Sequence, residues 1–157
     1  MDRMTFEQIC RDASLALGLD DTTDMGHGYT VSFNDVLFEF LFSEGLPSFL
    51  ILAEVGAATA DQSTEVYESL LTLQLMSWTQ PALRFGFNPM RQTVQLCVAA
   101  GLSETADGAW LAKLLSTIAT QVIEWRTNLL AGKLQPAAGF EAFMHENLAP
   151  VAHGLQA

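Results

Sequence analysis

The sequence predicts an α+β domain: a mainly antiparallel, twisted five-stranded sheet with helices, in the order α-β-β-β-α-β-β-α. Three observations carry this. Period-2 apolar alternation recurs in five short segments. Period-3.6 apolar stripes flank and interrupt them in three longer ones. The strand-like segments follow one another through short turns, which favours antiparallel pairing with helices on one side.

The first helix spans about Thr5 to Leu17, where Phe6, Ile9, Cys10, Ala13 and Leu17 recur at helical spacing. Thr5 is a candidate cap and Gly18 a candidate stop. Asp20 to Gly28 is polar and reads as a loop. Tyr29, Val31 and Phe33 then alternate with Thr30, Ser32 and Asn34. Asn34-Asp35 suits a two-residue hairpin turn, because both residue types tolerate positive φ. Val36, Phe38, Phe40 and Phe42 share one face of the next strand, with Leu37 and Leu41 opposite. Ser43 to Pro47 turn the chain into Phe49, Ile51, Ala53 and Val55, with Leu50 and Leu52 behind.

A second long helix starts at Ser63 or Asp61 and reaches about Trp78, with Glu65 and Glu68 where the dipole favours acids. It carries two apolar stripes: Val66, Leu70 and Leu73, and Tyr67, Leu71, Leu75 and Trp78. A helix packed on one neighbour needs only one stripe. Pro81 stops it. Leu83, Phe85 and Phe87 alternate, Asn88-Pro89 turns, and Val94, Leu96 and Val98 share a face. The last helix starts near Asp107, carries Leu111, Leu114, Leu115, Ile118, Val122, Trp125 and Leu129 on one stripe, and ends by Gly132. Residues 1–132 thus form the α+β domain. Residues 133–157 form a C-terminal extension, with a short helix expected over 137–148.

Composition narrows the function. Seven lysines and arginines stand against eighteen acids, a formal charge of −11. No cation falls between Arg11 and Arg84, while eleven acids fall from Asp12 to Glu68. Nucleic-acid binding needs clustered cations, and an anionic membrane would be repelled. A basic partner would be attracted, although solubility alone also explains the charge. No apolar run approaches a membrane span, and the N-terminus lacks the pattern of a signal peptide, so cytoplasm is the expected compartment.

The chemistry of catalysis finds little support. Cys10 and Cys97 sit in apolar patterns and read as buried structural thiols. His27, His145 and His153 have no ligand at metal spacing, and Met25-Gly-His-Gly lacks the lysine and helix of a phosphate loop. Glu39 and Glu54 lie within strands and read as solvated positions, not as a catalytic carboxylate pair. No enzyme activity, metal or cofactor is expected.

The apolar residues exceed what one sheet face needs. Either a dimer or wrapped loop buries the second face, or a groove there takes an extended partner. Taken together, several segments resemble the class I type III secretion chaperones, the Tir chaperone family. They are Leu15-Ala-Leu-Gly-Leu19, the strand pair from Tyr29 to Phe42, and Leu50-Ile-Leu-Ala-Glu-Val-Gly56. They continue with Tyr67-Glu-Ser-Leu-Leu71 running on to Trp78, Leu83-Arg-Phe-Gly-Phe-Asn88 before Val94-Gln-Leu-Cys-Val98, and Ile123-Glu-Trp125. The resemblance covers about residues 4 to 130. It implies a homodimeric, ATP-independent bacterial cytoplasmic chaperone for the non-globular N-terminal segment of a secreted virulence effector.

The partner site expected from strand alternation and helix flank comprises Leu15, Leu19, Tyr29, Val31, Phe33, Leu37 and Leu41, with ordinary core as the competing reading for each. The expected dimer interface comprises Tyr67, Leu71, Leu75, Trp78, Leu83 and Phe85. Two other functions compete: a regulatory protein-binding module of similar fold, and a small enzyme whose deep pocket gathers polar side chains.

Overall fold

The first helix begins two residues ahead of the expected cap, because Asp2 supplies the stronger acceptor: its Oδ1 takes the Thr5 N–H at 2.8 Å. This hydrogen bond also holds the Asp2 carboxyl below its usual range. In the computed structural model, which describes residues 1–76, 83–103 and 105–131, α1 runs Arg3–Leu17. It ends where Gly18 turns left-handed at φ 69°. Gly18 N–H then donates to Leu15 O and Leu19 N–H to Ser14 O, a paired closure that satisfies the last carbonyls.

The segment read as a loop contains one helical turn, α2 at Asp24–His27. Asp21 builds it, accepting the N–H groups of Thr23 and Asp24 at 2.7 and 3.0 Å. Gly26 sits against α1, where an added Cβ would meet Glu7 Cα at 3.1 Å.

The strands are β1 Val31–Phe33, β2 Val36–Leu41, β3 Ser48–Gly56, β4 Leu83–Asn88 and β5 Thr93–Gly101. They form one five-stranded sheet in the order β1-β2-β3-β5-β4. Every pair is antiparallel. Asn34 and Asp35 take φ 48° and 58°, the two positive angles that a tight hairpin needs. That turn pairs Phe33 with Val36 and Val31 with Phe38.

The remaining helices are α3 Ser63–Met76 and α4 Gly108–Thr127. Asp107 caps α4 by accepting the Trp110 N–H at 2.8 Å. The expected stripe Leu111 to Leu129 is buried in full, although the helix itself stops at Thr127. Gly108 permits the crossing with α1, since a Cβ there would lie 2.4 Å from Asp12 Cβ.

One face of the sheet carries Phe38, Phe40, Phe49, Ile51, Ala53, Val94, Leu96 and Val98 into a single core with Phe6, Ile9, Val66, Leu70, Leu73 and Trp125. Arg126 locks α4 to the sheet ends. Its guanidinium donates to the carbonyls of Val55, Asp35 and Glu54 at 2.7, 2.7 and 3.0 Å. Trp78 and the helix expected over 137–148 lie outside the described residues. No helix among the described residues is long and apolar enough to cross a membrane.

Candidate partner-binding surfaces

The hairpin register creates the first candidate surface. β1 is only three residues long and pairs with Val36, Leu37 and Phe38. From Glu39 to Leu41, β2 has β3 on one side and no strand on the other among the described residues, with Gly28 beside it, where an added Cβ would stand 3.5 Å from Phe40 O. Alternation then turns the N–H and C=O of Phe40 outward, as in Val36 and Phe38. An unpaired strand edge is a template for another chain.

Beside this edge lies a cleft of about 230 Å³ lined by Arg3, Phe6, Gly26, His27, Phe40, Leu41 and Phe42, among others. Its floor is aromatic: Phe6 and Phe42 stack with centroids 4.2 Å apart. Arg3 rests over Phe42 at 5.4 Å, an arrangement that favours a cation on a ring face. The Arg3 guanidinium stands 3.8 Å from Glu7, and its backbone N–H donates to Glu44 Oε1 at 3.0 Å. The cleft thus combines aromatic side chains and Leu41 with one cationic and one imidazole side chain.

The seven residues expected at the partner site are not gathered in one place. Leu41 lines the cleft and is 53% exposed. Tyr29 is exposed just before β1, edge-on to His27 at 6.3 Å. Val31 is only 7% exposed, and Phe33 packs against the core. Leu37 is half-buried and points to the opposite face of the sheet, which no helix covers among the described residues. Leu15 is exposed and Leu19 half-buried, at the far end of α1, roughly 18 Å along the axis from Arg3 at about 1.5 Å per residue. Sequence reasoning missed Arg3, Phe6, His27 and Phe42, which α1, α2 and the end of β2 bring together.

The second surface joins α3 to the β4 edge. The stripe Val66, Leu70 and Leu73 is buried, whereas Leu71 is 71% and Leu75 76% exposed. Tyr67 is exposed and meets Phe87 edge-on at 5.8 Å. Leu83, expected at the dimer interface, lies instead in the core, and Phe85 packs against it beside Trp125 at 5.1 Å. The β4 edge is not open along its whole length. Gln74 donates to Leu83 O at 3.2 Å and accepts from Phe85 N–H at 2.9 Å.

Glu39 and Glu54, considered above as a carboxylate pair, both bond Arg91 at 3.3 Å on the same face as Leu37. A cation between two acids makes an ion-pair network. Burial pushes Cys10 up to about 12, with Glu7 adding to the shift. Burial also raises Cys97, against a smaller opposing pull from Arg84. Neither thiol has the depressed value of a nucleophile.

The fold has a counterpart among solved structures. A chain of the crystal structure of the ExsC–ExsE complex superposes with a TM-score of 0.64, covering 82% of this chain and 97% of that one. The two are 17% identical in sequence. No protein-family model and no curated protein matches the sequence. The likeness establishes the α+β architecture that the sequence predicts.

Proposed function

We propose that the protein is a non-enzymatic chaperone of the type III secretion kind. It binds the non-globular N-terminal segment of a secreted effector as a homodimer in the bacterial cytoplasm and keeps that segment soluble and secretion-competent. One observation carries the reading: among the described residues no strand pairs with the outer edge of β2 from Glu39 to Leu41, and this edge adjoins a cleft with aromatic, cationic and imidazole side chains. An extended segment needs backbone partners and burial for alternate side chains together, and this juxtaposition supplies both. The likeness to a chain crystallised in a complex of two proteins supports a protein-binding role, and the segmental resemblance supports a secretion chaperone. Dimerisation is assigned to Tyr67, Leu71 and Leu75, which are exposed, whereas Leu83 and Phe85 pack into the chain's own core.

Co-expression with the product of the neighbouring reading frame tests this. The expected result is a soluble complex in which the partner's N-terminal segment is protected from proteolysis and Leu41→Asp abolishes capture. A partner that binds through a folded domain, with its N-terminal segment free, overturns the chaperone reading. A bound partner without a secretion signal favours the regulatory module.

A further inference from the structure

The face of the sheet that no helix covers among the described residues is not the polar surface that antiparallel sheets usually turn to water. Leu41 stands opposite Leu50, and Leu50 opposite Ala99. The next row brings Glu39, Leu52 and Cys97 into register. Leu41 and Leu50 are exposed, and Leu52, Cys97 and Ala99 half-buried. The apolar block therefore runs across β2, β3 and β5 and ends against Glu39 and Glu54.

Those two acids are held by the protein itself. Thr30 Oγ1 donates to Glu39 at 3.4 Å and Thr93 Oγ1 to Glu54 at 3.2 Å. The guanidinium between them arrives from the β4–β5 turn. Asn88 Oδ1 accepts the N–H groups of Met90 and Arg91 at 3.0 and 3.2 Å, and Gln92 closes the turn at φ 56°. The Arg91 side chain is 38% exposed and reaches past Thr93 to both carboxylates at 3.3 Å. The Glu39 side chain is 30% and that of Glu54 18% exposed, so the guanidinium gives up its two contacts at small cost only where an incoming cation replaces them. The threonine hydroxyls keep both acceptors in place when it leaves.

We propose that this face binds a partner segment carrying a basic side chain beside apolar ones, and that Arg91 holds the place of that basic side chain until the segment docks. The apolar side chains cover Leu41, Leu50 and Leu52. The cation takes over Glu39 and Glu54, and Arg91 swings out on its turn. The charge of the site selects the partner, because an acidic segment would meet two carboxylates and a neutral one would leave Arg91 in place. The surface shares Leu41 with the strand-addition edge, but Leu50, Leu52, Glu54 and Arg91 belong to it alone, and these carry the proposal.

The test uses the full chain, labelled with nitrogen-15, and three short synthetic peptides. The first alternates serine with leucine, arginine and leucine on one face. The second replaces the arginine by citrulline, and the third replaces the leucines by serine. Amide shifts from the first peptide should centre on Leu41, Leu50, Leu52, Cys97 and Ala99. Arg91→Ala should bind it about two- to five-fold tighter, the range that loss of one exposed ion-pair competitor allows. The same variant should show no gain for the citrulline peptide, and the serine peptide should bind neither form. Arg11→Ala removes an equal charge from α1 and should show no gain, which separates exchange from the general field. Glu39→Gln with Glu54→Gln should reduce the arginine peptide to the citrulline level. An unchanged or weaker affinity in Arg91→Ala overturns the proposal. So do shifts confined to the cleft at Phe42 or to the α3 patch, a result that leaves the β2-edge reading standing.

Discussion

The carboxamide oxygen of Gln74 accepts the backbone N–H of Phe85 at 2.9 Å, while its amide donates to Leu83 O at 3.2 Å. A side chain of α3 thereby occupies two of the outward backbone groups of an edge strand. Open edges invite uncontrolled pairing, and covering one with a helix is a recognised remedy. Gln74→Ala should expose both groups and cost about 1–2 kcal/mol of stability. Urea denaturation reads the loss, and turbidity on warming should rise because the freed edge can pair with other chains.

The clamp also shapes the proposed dimer. With Leu83 and Phe85 tied to Gln74, a second copy gains most of its contact from side chains, chiefly Tyr67, Leu71, Leu75 and Phe87. Leu71 and Leu75 are more than two-thirds exposed, so charge is tolerated there in the free protomer. Leu71→Glu and Leu75→Glu should each preserve the circular dichroism spectrum and weaken association by more than about 1 kcal/mol. Light scattering should find a wild-type dimer at micromolar concentration and a monomer in the double variant. A wild-type monomer removes this interface.

Much of this was legible because the relevant signals are local. Asn34-Asp35 names its own turn, and the second stripe of α3 declares itself surplus through 3.6 periodicity. The stripe of α4 is equally plain. Other features are set by register and long-range reach. Alternation groups Val31 with Phe33 and Leu37 with Leu41, but it does not say which group faces the core. The turn places Val31 opposite Phe38 on the helix-covered face and leaves Leu37 and Leu41 behind. Arg126 finds three carbonyls and Arg91 two acids far away in sequence, and no periodic pattern announces such reach. The α2 turn escaped notice because four residues show no period, although Asp21 stands where it can cap Thr23 and Asp24.

Cys10 gives a pH signature. Its thiol is pushed from an ordinary 9.0 to about 12 in the fold, chiefly by burial. Below the unfolded value, both states hold the proton and stability is insensitive to this group. Between about pH 9 and 12, the unfolded chain releases the proton while the folded chain keeps it, so stability falls as pH rises. Cys10→Ala should flatten that slope in denaturation midpoints taken across the interval. In native protein at pH 8, a thiol reagent should label half-buried Cys97 ahead of Cys10, and Cys10 only on unfolding.

Val31→Asp and Leu41→Asp separate core from surface within one hairpin. Val31 is 7% exposed and sits on the face that packs against the helices. A carboxylate there lacks a partner in an apolar setting, so Val31→Asp should cost about 3–5 kcal/mol and leave little folded protein. Leu41 is 53% exposed at the rim of the cleft. Leu41→Asp should change stability by no more than about 0.5 kcal/mol, the usual range for a surface substitution. Its effect belongs to binding: a leucine fully covered by a partner contributes about 1.5–3 kcal/mol, so affinity should drop roughly ten- to hundred-fold. The added charge also repels an acidic segment and attracts a basic one, which makes the drop smaller at low salt for a basic partner. Thermal melts and partner titrations on the two variants decide the matter. Normal binding by folded Leu41→Asp would place the partner away from the β2 edge, and a folded, binding-competent Val31→Asp would contradict the register Val31–Phe38 itself.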